Sequence, residues 1–247
     1  MTFVTESVDN LPISNRWKDL YNSRRQVIAC ATVIEEMLPL LPEDVPYEVL
    51  DFGLHLRPAD LKIALQSKID EASQHADVLL LGYGLCSMAI VGLKATTATL
   101  VIPRVDDCIA IFLGSSEAYK AQAKKEPGTY YLTKGWIEVG DNYFEEHKRM
   151  VEKLGEEKAW RLTGLMLKNY KRLGFINTGQ HGLERYRKYA RHKAREFGLR
   201  FEEIKGSPDL VRKMIHGPWD EEFLVISPGQ TITYKDFANS STRGKGG

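Results

Sequence analysis

Three cysteines, Cys30, Cys86 and Cys108, each stand where a run of buried-type residues ends. Cys30 closes Gln26-Val27-Ile28-Ala29, and Cys86 follows Val78-Leu79-Leu80-Leu81-Gly82-Tyr83-Gly84-Leu85. Cys108 comes shortly after Thr99-Leu100-Val101-Ile102-Pro103-Arg104. In an open α/β sheet the loops at the carboxyl ends of parallel strands gather along one edge and form the ligand crevice. Thiols delivered by three separate strands would meet there although they are far apart in sequence. Three thiolates suit a soft metal or an iron–sulfur cluster, and a missing fourth ligand leaves one position open for chemistry. The expected occupant is a [4Fe–4S] cluster on Cys30, Cys86 and Cys108, with zinc as the second choice. The competing reading is three reduced core residues, because cysteine is among the most buried residue types. No closely spaced cysteine pair of the structural-zinc kind is present, but a cluster assembled from distant loops needs no local motif.

Other residues fall on the same predicted edge. In Gly82-Tyr83-Gly84 two glycines let the backbone approach a ligand, which makes Gly82, Tyr83 and Gly84 candidate cofactor contacts. The run is not G-x-G-x-x-G, since Ser87 occupies the last position. A helix starting near Ser87 would offer free N–H groups and favour a Cys86 thiolate. After the second strand, His55 could act as an acid/base group or fourth ligand, and Arg57 could clamp a carboxylate or phosphate. Arg104, Asp106 and Asp107 flank Cys108, and the acids also suit the start of a helix over 109–113. Further on, Asn177-Thr178-Gly179-Gln180-His181-Gly182 follows a predicted strand. The catalytic candidates are therefore His55, Arg57, Arg104 and His181. Each has a plain alternative as a loop histidine or surface arginine, and the 177–182 segment as an ordinary connection. Arg185, Arg187, Lys188, Arg191, Lys193 and Arg195 read as a solvated helix face. Tyr130, Tyr131, Trp136 and Trp219 are more often core or hinge packing than a ligand cage.

The elements that must position these groups alternate. Strands are expected at 27–32, 47–52, 78–81 and 100–102, with a helix opened by Pro58 whose Leu61, Ala64, Leu65, Ile69 and Ala72 share a face. A second β-α-β-α-β block has strands at 173–178, 199–204 and 223–226, helices at 183–197 and from Ser207-Pro208-Asp209, and a charged helical stretch over 143–172 broken near Gly155. The expectation is an α/β fold of two Rossmann-like halves with mainly parallel sheets facing across a cleft. Its divisions are an arm over 1–25 with a short helix near Trp17, halves over 26–140 and 141–237, and a disordered tail over 238–247.

Among 247 residues, 43% are hydrophobic and 27% charged, which is ordinary for a globular protein with a sizeable core. A formal charge of +1 provides no field for nucleic acid or an anionic membrane. No stretch approaches the roughly 20 apolar residues of a bilayer span, and the first residues lack a signal-peptide pattern. A cytoplasmic protein with reduced thiols is expected, acting on a small molecule. The oligomeric state is unreadable from the sequence.

The blocks Gly82-Tyr83-Gly84-Leu85-Cys86, Ile102-Pro103-Arg104 leading to Asp107-Cys108, Phe112-Leu113-Gly114-Ser115 and Pro127-Gly128-Thr129-Tyr130-Tyr131-Leu132-Thr133 resemble the family called domain of unknown function 1638. Ala29-Cys30, Gly53-Leu54-His55, Phe223-Leu224-Val225 and Pro228-Gly229 extend the likeness, which covers roughly residues 26 to 232. The resemblance implies an anaerobic setting near corrinoid-dependent methyl transfer, with a corrinoid protein as a partner, and supports the cysteines as a unit. It carries no established reaction. A histidine is common in the family where this chain has Asp106. Quinolinate synthase and the thiouracil desulfidases offer an analogy of ligand count only, with three cysteines and an open iron. Two function classes follow: an iron–sulfur enzyme of lyase, desulfidase or methyl-transfer accessory type, or a non-catalytic small-molecule or corrinoid-binding protein with structural cysteines.

Overall fold

A computed structural model describes residues 20, 22–86, 88–140 and 142–238. Most of the expected N-terminal arm and the tail beyond 238 lie outside the described residues. The helix expected near Ser87 is not found among the described residues, where 88–92 are turns.

The first sheet begins with β1 (Arg25–Cys30), which leads without a loop into α1 (Ala31–Met37). β2 (Tyr47–Leu50) follows, then a 3₁₀ turn (Phe52–Leu56) and α2 (Pro58–Ala72). Proline at the first turn starts α2, where its missing N–H costs nothing. The helix buries Leu61, Leu65, Ile69 and Ala72 on one stripe, each of the larger side chains contributing about 1.5–3 kcal/mol. β3 (Val78–Gly82) and β4 (Thr99–Pro103) are buried at every position, as continuous apolar strands covered on both faces should be. The strand order is β2-β1-β3-β4, all parallel, and a late strand, β8 (Phe223–Ile226), adds antiparallel to β4.

After β4 come α3 (Cys108–Leu113), α4 (Ser116–Lys125), β5 (Thr129–Leu132), α5 (Lys134–Val139), α6 (Tyr143–Leu154) and α7 (Glu156–Leu167). Then follow β6 (Arg172–Asn177), α8 (Glu184–Glu196), β7 (Arg200–Lys205), α9 (Asp209–His216), β8 and α10 (Tyr234–Ala238). β5, β6 and β7 form a second, wholly parallel sheet. The protein is thus an α/β fold with one mixed and one parallel sheet. The sheets do not divide where the sequence suggested, near residue 140. β5 belongs to the second sheet and β8 returns to the first. Strand partners are chosen by edges that local pattern does not reveal.

The sheets are joined closely. A Cβ on Gly206 would lie 2.6 Å from the Phe112 carbonyl oxygen, and one on Gly135 would lie 3.0 Å from that of Thr32. Only glycine permits main chain to meet main chain at these distances. Ile176 and Ile204 of the second sheet pack into the first core, which also contains all three cysteines. Among the described residues no helix is long and apolar enough to cross a membrane.

Candidate functional site

Each thiol is delivered by a different strand of the first sheet, and each in its own way. Cys30 is the last residue of β1 and the N-cap of α1, with its Sγ 3.1 Å from Thr32 Oγ1. Cys108 is the first residue of α3, whose N-cap Asp107 accepts from the Ile109 N–H at 2.8 Å. Cys86 lies in the loop after β3 with a φ of 45°, and Met88 nearby has 71°. Positive φ is uncommon outside glycine and clusters at functional sites. The 84–86 loop is laid on the 105–107 loop, with Leu85 N–H donating to Val105 O at 2.8 Å and Cys86 N–H to Asp106 O at 3.1 Å. Gly84 makes this possible, since a Cβ there would lie 2.8 Å from Val105 O and 2.9 Å from Asp107 N. Gly82 has a similar role deeper in, where a Cβ would meet that of Ala29 at 2.6 Å.

The three thiols are buried, with relative exposures of 1% for Cys30, 8% for Cys86 and 7% for Cys108. They also sense one another. Burial is the main cause raising the Cys86 thiol pKa, and charge on Cys30 adds to it. Burial likewise pushes Cys108 well up, followed by the charges of Cys30 and Cys86. Cys30 is raised by burial against the pull of its hydrogen bonds, led by Thr32. All three are free thiols. Among the described residues no group of three or more His, Cys, Asp or Glu is arranged to hold a metal ion.

Tyr83 completes the neighbourhood. The residue is 1% exposed, and its hydroxyl finds no hydrogen-bond partner among the described residues. Burial raises its pKa most, and charge on Cys30 and Cys86 raises it further. His55 stacks on Tyr83 at 5.9 Å and on Phe52 at 4.8 Å, with Nδ1 3.0 Å from the Phe52 carbonyl. The structure therefore groups Cys30, Cys86, Cys108, Tyr83 and His55, with Gly82 and Gly84 as the close-approach positions.

The remaining candidates are elsewhere. Arg57 is mostly exposed and pairs with Asp60 at 3.2 Å in the first turn of α2. Arg104 donates to the Phe223 carbonyl on β8 at 3.4 Å. His181 is exposed. In that loop it is Gln180 that reaches the first half, donating to the Glu35 carbonyl at 3.0 Å and accepting from Lys134 at 3.2 Å. Sequence reasoning also missed buried Glu36. Its carboxyl is raised by burial against the pull of Thr178, Gln180 and Lys134. An acid on a helix that follows a cysteine-ended strand was the available signal.

The family model described as Protein of unknown function (DUF1638) matches residues 49–215. The chain belongs to that family. The matched region includes Cys86, Cys108, Tyr83 and His55 and leaves out Cys30. No curated protein and no solved structure matches this member of the family.

Proposed function

We propose that this chain carries a [4Fe–4S] cluster on Cys30, Cys86 and Cys108, with one iron open to a small anionic or sulfur-containing metabolite, at the mouth of a cleft between two Rossmann-like halves. The observation that carries the reading is that three thiols, carried after three parallel strands of one sheet, are all buried in the same core. Two further features support it. An unpaired buried hydroxyl costs about 1–3 kcal/mol, and the Tyr83 hydroxyl is such a group beside the thiols. Non-glycine residues with positive φ flank Ser87 on both sides, the kind of local strain that accompanies sites held for function.

A single zinc ion would draw its thiolates to about 3.8 Å from one another. A four-iron cluster spreads them to about 6–7 Å. Burial holds the free thiols protonated, and a cluster's positive iron would reverse that balance.

When bound, the cluster would supply a Lewis acid at its open iron. The chain's own residues would do the rest. Tyr83 would turn its O–H toward the bound group, His55 would hold the Tyr83 ring by stacking on it, and the buried walls would exclude water. Elimination of water or sulfur from a small metabolite fits this arrangement. The corrinoid setting, with a corrinoid protein as partner, rests on the family resemblance alone.

Anaerobic purification should yield brown protein with about four irons and four sulfides per chain. Cys→Ala at any one of the three positions should remove colour and iron together. Colourless protein after anaerobic reconstitution, with all three thiols alkylated once unfolded, would overturn the reading. The protein would then be a binding or accessory protein whose cysteines fill the core, a role their membership of the main apolar cluster also suits.

A further inference from the structure

Next to the thiol site lies a concavity of about 490 Å³ whose walls are mostly aromatic, within the range of small-molecule sites. Phe52, which stacks on His55, and Ile109, next to Cys108, form its inner side. Tyr130, Tyr143, Tyr170 and Trp136 are among its other lining residues. The rings meet in both stacked and edge-on pairs. Tyr130 and Tyr143 are parallel, with centroids 5.1 Å apart, and Tyr170 is turned 82° to the first and 71° to the second. Phe52 and Trp136 are likewise set at 82°. All of these rings are only partly buried.

Glu146 is the single ionisable acid or base, tyrosines aside, among the described lining residues, and no lysine, arginine or histidine is among them. Glu146 Oε2 accepts from Arg149 Nε at 2.8 Å on the exposed side of α6, a rim pair that is cheap to rearrange. The amino end of α6 also opens here, and free N–H groups at such an end would attract an anion. They are not free. Tyr143 N–H donates to the Tyr130 hydroxyl, and Phe144 and Glu145 N–H donate to Asn142 Oδ1. Glu146 N–H donates to the Asn142 carbonyl. An anion would find no unsatisfied donor at this helix end, whereas a cation would find aromatic rings and a carboxylate.

From this geometry we infer a binding site for a small methylated ammonium cation, held by the faces of Tyr130, Tyr143, Tyr170 and Trp136 and balanced by Glu146. Ring faces carry negative potential and attract a weakly hydrated cation most strongly when it is partly desolvated. The site requires no metal at the cysteines, so it stands whether or not a cluster is present.

The test is calorimetric titration of the full chain with choline, with its uncharged isostere 3,3-dimethylbutan-1-ol, and with acetate. Choline should bind saturably and at least about tenfold more tightly than the isostere, and acetate should not bind. Tyr143→Leu should weaken choline at least about fivefold with an unchanged thermal transition. If that variant does not fold, Glu146→Gln on the exposed helix turn provides the same comparison and should also weaken choline while sparing the isostere. Equal affinity for choline and isostere, binding of acetate, or no saturation up to about 20 mM choline would each overturn the inference.

Discussion

Gly84→Ala isolates the contact that brings the Cys86 and Cys108 loops together. Gly84 is not among the glycines with positive φ, so the substitution adds no backbone strain of its own. The new methyl would sit 2.8 Å from Val105 O, 2.9 Å from Asp107 N and 3.0 Å from Asp107 Cα. All three are main-chain atoms and cannot swing aside. Normal contact needs about 3.5 Å or more, so the loops must part by about 0.5 Å. Overpacking of this kind costs about 1–3 kcal/mol. Stretching the Leu85–Val105 and Cys86–Asp106 hydrogen bonds adds up to about 1 kcal/mol. The expected loss is therefore about 1–4 kcal/mol, read as a lower midpoint in urea unfolding followed by circular dichroism. Gly164→Ala is the control. Gly164 lies within α7 with nothing near its missing Cβ, and alanine there should stabilise by about 0.5–1 kcal/mol. A Gly84→Ala protein within about 0.5 kcal/mol of the parent, or one stabilised like the control, would refute the close approach of the two loops.

Tyr83→Phe removes a buried hydroxyl that has no partner among the described residues. The metal-free variant should be as stable as the parent or up to about 1 kcal/mol more stable, and a loss beyond that in chemical denaturation would show that the hydroxyl is satisfied. In the metal-free protein, alkaline stability reports on the thiols. Burial leads the rise of all three pKa values, so the folded chain keeps protons that the unfolded chain releases. Stability is then complete below the ordinary thiol pKa of about 8.5 and falls as pH rises beyond it. Cys108→Ala should lessen the slope by about 1.4 kcal/mol per pH unit above that point, and an unchanged slope in melts from pH 8 to about 10.5 would contradict a protonated buried Cys108. At the acid end, hydrogen bonds from Lys125 and Arg200 and the nearby Arg172 hold Glu202 down at about 2. Its contribution is present above about pH 4.3 and disappears as pH falls through about 2. After solvent screening it is worth about 1–2 kcal/mol, so Glu202→Gln should flatten the acid limb of the stability profile by that amount.

Local pattern was enough to locate most elements. The stripe Leu61, Leu65, Ile69 and Ala72 marked α2, and the apolar runs ending at Gly82 and Pro103 marked the two central strands. A hydrophobic period exposes an element's type and its buried face, because these depend on residues within a few turns of one another. The placement of Cys30, Cys86 and Cys108 at strand ends was legible for the same reason, once parallel strands were inferred. What the pattern did not contain was partnership. β8 adds antiparallel to β4 across more than a hundred residues, and β5 joins β6 and not the first sheet. The left-handed turn at Cys86, the unpaired Tyr83 hydroxyl and the edge-on rings around Tyr143 are also invisible in sequence. Each of these depends on which main chain lies against which, a choice made by the packing of the whole chain. The sequence alone determined which elements form and which face of each is buried, and tertiary packing decided which of those faces meet around the thiols.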